Sequence, residues 1–323
     1  MVQKVRMKKA GIRIPITSIM TVAIFVFIYK SIITHENLRI YKKDNHTQIV
    51  TVPPITKTGL DSYSSSDNLH SSNAILIRLT DDTVLMEKNS EEKIYPASLT
   101  KIMTAIVAIE NLSDLDAEIK LAASMFDGLY EADASMAGFQ PGERVRVIDL
   151  LYGVMLPSGA ECCTALADHI AGSEREFVEL MNQKAKELGM KDTHFENTTG
   201  LHNNNHYTTV KDLSILLRYA LQNKNFRKVF TTFRHSIPPT NKHPAGMTLY
   251  STMYEELGDQ SIMGGEILGG KTGYTAKAGQ CIASLAKVGD HEYILITAGA
   301  RGDYYTEQYN ITDALTVYNS IRK

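Results

Sequence analysis

Pro96-Ala97-Ser98-Leu99-Thr100-Lys101-Ile102-Met103-Thr104-Ala105-Ile106-Val107-Ala108-Ile109 decides how this chain is read. A proline followed by a long apolar run marks the start of a buried helix. Residues three apart share a helical face, so Lys101 lies beside Ser98. A serine alone is a poor nucleophile, but an adjacent amine whose pKa is lowered by burial can take its proton.

The Ser-x-x-Lys pattern occurs four times, at Ser90/Lys93, Ser98/Lys101, Ser284/Lys287 and Ser320/Lys323. Ser90 and Lys93 lie in Ser-Glu-Glu-Lys after Glu87, Lys88 and Asn89, a composition that predicts a solvated turn. Ser284 falls in an apolar run, residues 281–286, that reads as a strand leading to Lys287, and positions three apart on a strand point to opposite faces. Ser320 and Lys323 end the sequence, where fraying is the default. Only Ser98 opens a strongly apolar helix with its lysine in the first turn.

Further elements support Ser98 by order and context. Lys-Thr-Gly occurs at Lys57-Thr58-Gly59, in a polar stretch upstream of the serine, and at Lys271-Thr272-Gly273. The second leads through Tyr274 and Thr275 into apolar residues 281–286, and a second apolar run, 293–298, follows the turn residues Gly289-Asp290. This predicts an antiparallel hairpin, with a lysine and a threonine hydroxyl on a strand facing one cleft. Gly273 is expected to let substrate backbone approach closely. Between the two lysines stands Leu156-Pro157-Ser158-Gly159-Ala160-Glu161. Ser158 there is a candidate second serine, whereas Ser66-Asp67-Asn68 and Ser71-Ser72-Asn73 lie upstream in a serine-rich spacer.

With these three elements the chain resembles the serine-type D-alanyl-D-alanine carboxypeptidases, the low-molecular-mass penicillin-binding proteins. The likeness covers roughly residues 70 to 321. It takes in Ala137-Gly138, Pro141-Gly142-Glu143, Leu150-Leu151-Tyr152-Gly153-Val154-Met155, Leu188-Gly189-Met190, Gly200-Leu201 and His206-Tyr207-Thr208-Thr209. The resemblance implies an α+β penicillin-binding-protein/β-lactamase-like transpeptidase fold, with an antiparallel sheet flanked by helices and an all-helical subdomain. It implies hydrolysis of the terminal D-alanyl-D-alanine bond of a peptidoglycan pentapeptide, with β-lactam antibiotics as covalent inhibitors. Ser98 would be the nucleophile, Lys101 its base and Ser158 a proton relay. Lys271 would lower the pKa of Lys101 and favour the substrate's terminal carboxylate. The amides of Ser98 and Tyr274 would form the oxyanion hole, Thr272 and Arg301 would hold the substrate carboxylate, and Gly273 would lie against the substrate backbone. The family's asparagine is Ala160 here, which puts the precision of substrate binding in question. Glu161 is adjacent, although it is not expected to replace the missing amide.

Charge is unevenly distributed. Residues 1–43 hold nine basic side chains and one acidic, net +8, leaving 25 basic and 35 acidic, net −10, on the remaining 280. No nucleic-acid patch is implied. The basic excess surrounds apolar residues 14–29, extended to 33 if Lys30 snorkels, which approaches the roughly 20 residues that cross a bilayer. Lys4, Arg6, Lys8, Lys9 and Arg13 precede it, so the positive-inside rule predicts residues 1–13 as a cytoplasmic basic tail and 14–33 as a single-pass membrane anchor. No small-x-small cleavage site follows, which favours an uncleaved anchor. Residues 34–72, with Pro53-Pro54 and six serines between Ser62 and Ser72, read as a flexible extracytoplasmic linker, and 73–323 as the catalytic domain. The β-rich second domain and C-terminal amphipathic anchor of many family members are not expected in this sequence.

Cys162 and Cys163 in an apolar helix and Cys281 in an apolar strand suit buried free thiols. No cofactor is expected, and no metal, because His202 and His206 in an asparagine-rich segment read as exposed loop histidines without a ligand set. The coarse pattern is a hairpin over 73–89 with its turn at Asp81-Asp82, the Ser98 helix, helices to about residue 225, strands over 271–300 and a final helix through 315–321. The cleft is expected between sheet and helices. A class A β-lactamase would need a deacylating glutamate, for which Glu196 is the nearest placement. A penicillin-sensing receptor would need an output domain for which 13 residues before the anchor leave no room. A weakened peptidoglycan-binding protein is the reading in which Ala160 has disabled the site. The sequence leaves open whether trimming serves wall maturation or glycopeptide resistance.

Overall fold

The computed structural model describes residues 56–57 and 68–321. Residues 14–33 lie outside this set, and among the described residues no helix is long and apolar enough to cross a membrane.

Strands β2 (Asn73–Arg78) and β3 (Thr83–Lys88) form the predicted hairpin. Strands β9 (Gly265–Thr275), β10 (Gly279–Val288) and β11 (His291–Ala300) form an antiparallel meander. The two units join because β2 pairs antiparallel with β11, Leu76 opposite Leu295. With the short edge strands β1 (Thr56–Lys57) and β8 (Ser261–Ile262), the sheet has seven strands in the order β1-β3-β2-β11-β10-β9-β8.

Both faces of this sheet are covered, which explains why its strands read as continuous apolar runs rather than alternating ones. Along β2, Ile75 and Ile77 enter the larger core, while Ala74 and Leu76 enter the smaller. The larger core holds helix α1 (Thr100–Asn111), apolar on nearly every side, together with α2 (Val147–Met155), α3 (Ala160–Ala171), α4 (Glu174–Glu187), α5 (Val210–Ala220) and α6 (Lys224–Phe230). The smaller core lies under α7 (Thr252–Leu257) and α8 (Tyr309–Asn319). Side-chain caps set where several helices begin: Ser173 accepts from the Glu176 amide and Thr209 from the Asp212 amide. Gly172, at φ 81°, ends α3.

Three differences from the sequence reading have physical causes. The helical region also carries two small hairpins, β4 (Glu118–Lys120) with β5 (Arg144–Arg146), and β6 (Arg234–Ile237) with β7 (Met247–Tyr250). Their strands are too short for a periodic signal. The folded domain begins before residue 73: Leu69 is buried in the smaller core, and the amides of His70 and Ser71 donate to Asp313 Oδ1 and Oδ2 at 2.9 and 2.8 Å. Serine-rich composition reads as linker, but a buried carboxylate more than 240 residues away fixes this backbone. Ser90 is buried rather than solvated, because its hydroxyl donates to Glu87 and its carbonyl accepts from the Lys211 amide.

Candidate active site

Ser98 occupies a 3₁₀ turn, Ala97–Leu99, that runs directly into α1. The turn is strained, with Ala97 at φ 47°, a region an alanine rarely adopts. Two close backbone approaches hold it. Gly200 has φ 83°, and a Cβ there would come within 1.8 Å of the Ala97 carbonyl oxygen. A Cβ on Gly273 would lie 2.9 Å from the Ser98 amide nitrogen and 3.3 Å from that of Leu99. Gly273 therefore makes room for the protein's own nucleophile turn, a packing role that the sequence did not suggest. That contact places the Lys-Thr-Gly strand, and Tyr274 after it, against the Ser98 backbone.

Lys101 Nζ lies 3.1 Å from Ser98 Oγ and 2.7 Å from the Thr199 carbonyl oxygen. As an ammonium it donates to both; as a neutral amine it can donate to Thr199 and offer its lone pair to the Ser98 hydroxyl. Only 2% of Lys101 is exposed, and burial pushes its pKa below the ordinary lysine value, against an opposing pull from Cys163 and Glu161. Lys271 is buried as deeply; its Nζ donates to the Thr272 carbonyl at 2.9 Å. Burial, and then repulsion from Lys101, hold it well below the ordinary value. Desolvation lowers Lys101, and the repulsion between two buried ammonium groups acts on both members of the pair. Two ammonium groups buried together are costly, so the pair favours a neutral amine.

Ser158 has φ 67° in the turn between α2 and α3, and its buried Oγ has no hydrogen-bond partner. A buried hydroxyl with no partner is uncommon away from functional sites. The turn is backed by Glu161, whose Oε1 accepts from the amides of Ala137, Gly138 and Phe139 at 2.7, 2.9 and 3.3 Å. Glu161 is thus committed to the backbone behind the turn, and burial raises its pKa. Ala160 is fully buried, and its amide donates to the Ser135 carbonyl at 2.8 Å.

Thr272 Oγ1 lies 2.9 Å from Thr252 Oγ1, a partner the sequence did not suggest. Tyr274 meets Tyr304 edge to face, with ring centroids 4.7 Å apart. Arg301 is exposed just beyond the end of β11, where that strand's Ala300 pairs with Gln280 next to the β9–β10 turn.

One histidine departs from the expected exposed loop. His202 is exposed, but His206 is buried: its Nδ1 accepts from the Glu196 amide at 3.2 Å, so its Nε2–H donates to Thr100 Oγ1 at 2.8 Å. Burial lowers its pKa to about 4, and the neutral ring ties down Thr100, the residue immediately before Lys101. The Glu196 side chain pairs with His194 at 3.0 Å. The Lys101 acceptor Thr199 is held by Asn197, whose Oδ1 accepts from the Thr199 and Gly200 amides at 3.2 and 2.7 Å. Gly200 belongs to a segment the resemblance includes, whereas Thr252 carries no local motif. Cys162, Cys163 and Cys281 are buried and free.

A serine at the head of a core helix, a buried lysine one turn on, and a second buried lysine on an adjoining antiparallel strand define the serine–lysine fold of the penicillin-binding proteins. The chain belongs to the peptidase S11 family, D-alanyl-D-alanine carboxypeptidase, whose sequence profile matches residues 61–302. It is 33% identical over 257 residues to D-alanyl-D-alanine carboxypeptidase DacF of Bacillus subtilis (strain 168), covering 78% of this chain and 63% of that protein. It is also 33% identical over 214 residues to the D-alanyl-D-alanine carboxypeptidase of Streptomyces sp. (strain K15), covering 64% of this chain and 73% of that one. The crystal structure of the Streptomyces K15 DD-transpeptidase superposes with a TM-score of 0.68 at 26% identity, covering 82% of this chain and 99% of that chain. The chain spans 63%, 56% and 59% of the lengths of three such curated relatives, less than two thirds of each.

Proposed function

We propose that this protein is a serine D,D-carboxypeptidase that removes the terminal D-alanine from peptidoglycan stem peptides. The observation that carries this reading is the 3.1 Å approach of a deeply buried Lys101 amine to Ser98 Oγ. Neutral Lys101 takes the Ser98 proton as Oγ bonds to the carbonyl carbon between the two D-alanines. The backbone amides of Ser98 and Tyr274 receive the developing oxyanion; one such donor is worth about 100- to 1000-fold in rate. The carbon–nitrogen bond then breaks, Ser158 passes the proton to the leaving amine, and D-alanine departs from a Ser98 ester. Water, deprotonated by Lys101, hydrolyses that ester and restores the serine. Thr272, beside Lys271, and Arg301 hold the terminal carboxylate. β-Lactams acylate Ser98 by the same first step.

The test is D-alanine release from a pentapeptide ending in D-Ala-D-Ala, together with covalent labelling by a fluorescent penicillin. Both should be present in the wild type and absent in Ser98→Ala; a Ser98→Ala variant with undiminished release overturns the assignment. A lactamase reading has less support, because the Glu196 carboxylate is paired with His194. The same reading places residues 14–33 in the cell membrane with the catalytic domain outside. The basic residues before the apolar run support this orientation, and resistance of the protein to carbonate extraction tests it. Trimming would serve wall maturation; change in vancomycin susceptibility on deletion tests an accessory resistance role.

A further inference from the structure

Thr252 touches both walls of the cleft without belonging to any of the three sequence elements. It opens α7, and its Oγ1 is 2.9 Å from Thr272 Oγ1, next to Lys271. Its backbone amide donates to the Leu156 carbonyl at 3.1 Å, two residues before Ser158. Neighbouring contacts fix its place. The Ser251 amide donates to the Phe233 carbonyl at 2.9 Å, and the Tyr254 hydroxyl donates to the Leu268 carbonyl on β9. Met253 packs where a Cβ on Gly270 would come within 2.3 Å of its sulfur. Thr252 and Thr272 are both only partly buried.

Two hydroxyls in contact share one proton between them, and the second proton is available to another acceptor. We propose that Thr252 is a positioning residue for the substrate's terminal carboxylate. Its O–H donates to Thr272 Oγ1, and the Thr272 O–H is thereby left to donate to the carboxylate. A carboxylate is the strongest acceptor such a pair can meet, and a donor chain ending on it is polarised along its length. Without Thr252, the Thr272 hydroxyl loses its lateral partner and is free to turn among its rotamers. The inference rests on the reading that Thr272 binds that carboxylate.

Steady-state D-alanine release from a D-Ala-D-Ala pentapeptide tests it, using wild type, T252V, T252S, T272V and the T252V/T272V double variant. T252V should raise KM about five- to tenfold with kcat changed by less than about twofold, the mark of lost ground-state binding. T252S keeps the hydroxyl and should return KM to within about twofold of wild type. The double variant should bind substrate no worse than T272V, since both substitutions remove the same donor. If T272V raises KM and T252V does not, the inference falls and the carboxylate reading stands. If neither moves KM, both fall. A T252V defect confined to kcat, or one that T252S does not rescue, assigns Thr252 a purely structural role and overturns the proposal.

Discussion

The two turns that bring serines to the cleft are built on different principles. Around Ser98 the constraint is backbone against backbone: Gly200 and Gly273 press on Ala97, Ser98 and Leu99 with no room for a single added carbon. Around Ser158 the constraint is one buried carboxylate, Glu161, gathering three amides behind the turn. A wall made by backbone contact tolerates no side-chain change at its contact points. A wall made by a carboxylate does not depend for its hydrogen bonds on the neighbouring side chain, which here is the methyl of Ala160.

The largest effect should come from Gly200→Ala, which places a methyl against the Ala97 carbonyl at a positive φ. A loss of about 3 kcal/mol or more in urea denaturation is expected, with penicillin acylation falling in whatever folds. A stable, fully active Gly200→Ala would break the contrast on its stricter side. Glu161→Gln should do less to the fold, since the amide oxygen can still accept, but should alter the chemistry. Glu161 raises the Lys101 pKa, and acylation needs Lys101 neutral. Removing the negative charge should therefore move the acid limb of the acylation pH profile to lower pH; a shift to higher pH would mean that Glu161 acts on Lys101 by another route. The smallest effect belongs to Ala160→Asn. Turnover should persist within about tenfold of wild type, because the turn's shape depends on Glu161 and not on this side chain. Abolished D-alanine release would show that the second wall is as intolerant as the first.

Much of the first wall is legible in the sequence, for local reasons. Ser98 and Lys101 are close because they are three residues apart, and apolar residues 281–286 and 293–298 must pair because a short turn joins them. What remains hidden depends on distant chain segments. The packing of Gly273 against Ser98, 175 positions earlier in number, is invisible in the local sequence. His206 has the composition of an exposed loop around it, yet Phe195 packs on its ring and Thr100 and Glu196 satisfy both its nitrogens. Thr252 has no flanking pattern at all, and only the docking of α7 on β9 brings its hydroxyl to Thr272. The resemblance places Ser158 and Ala160 on one turn, but the commitment of Glu161 to amides over twenty residues away is a tertiary fact.

The clamp of Asp313 on His70 and Ser71 fixes where the continuous fold is anchored. His70 also stacks on Tyr309, with ring centroids 4.2 Å apart, so the first described residues of the continuous fold are fastened to α8 at two levels. Helix α8 packs on the smaller core, whereas Ala97, Leu99 and α1 pack on the larger one across the sheet. Residues 69–71 are therefore fastened on the far side of the sheet from the nucleophile. The start of the continuous fold and the strained turn that presents Ser98 are thus anchored on opposite faces of one sheet.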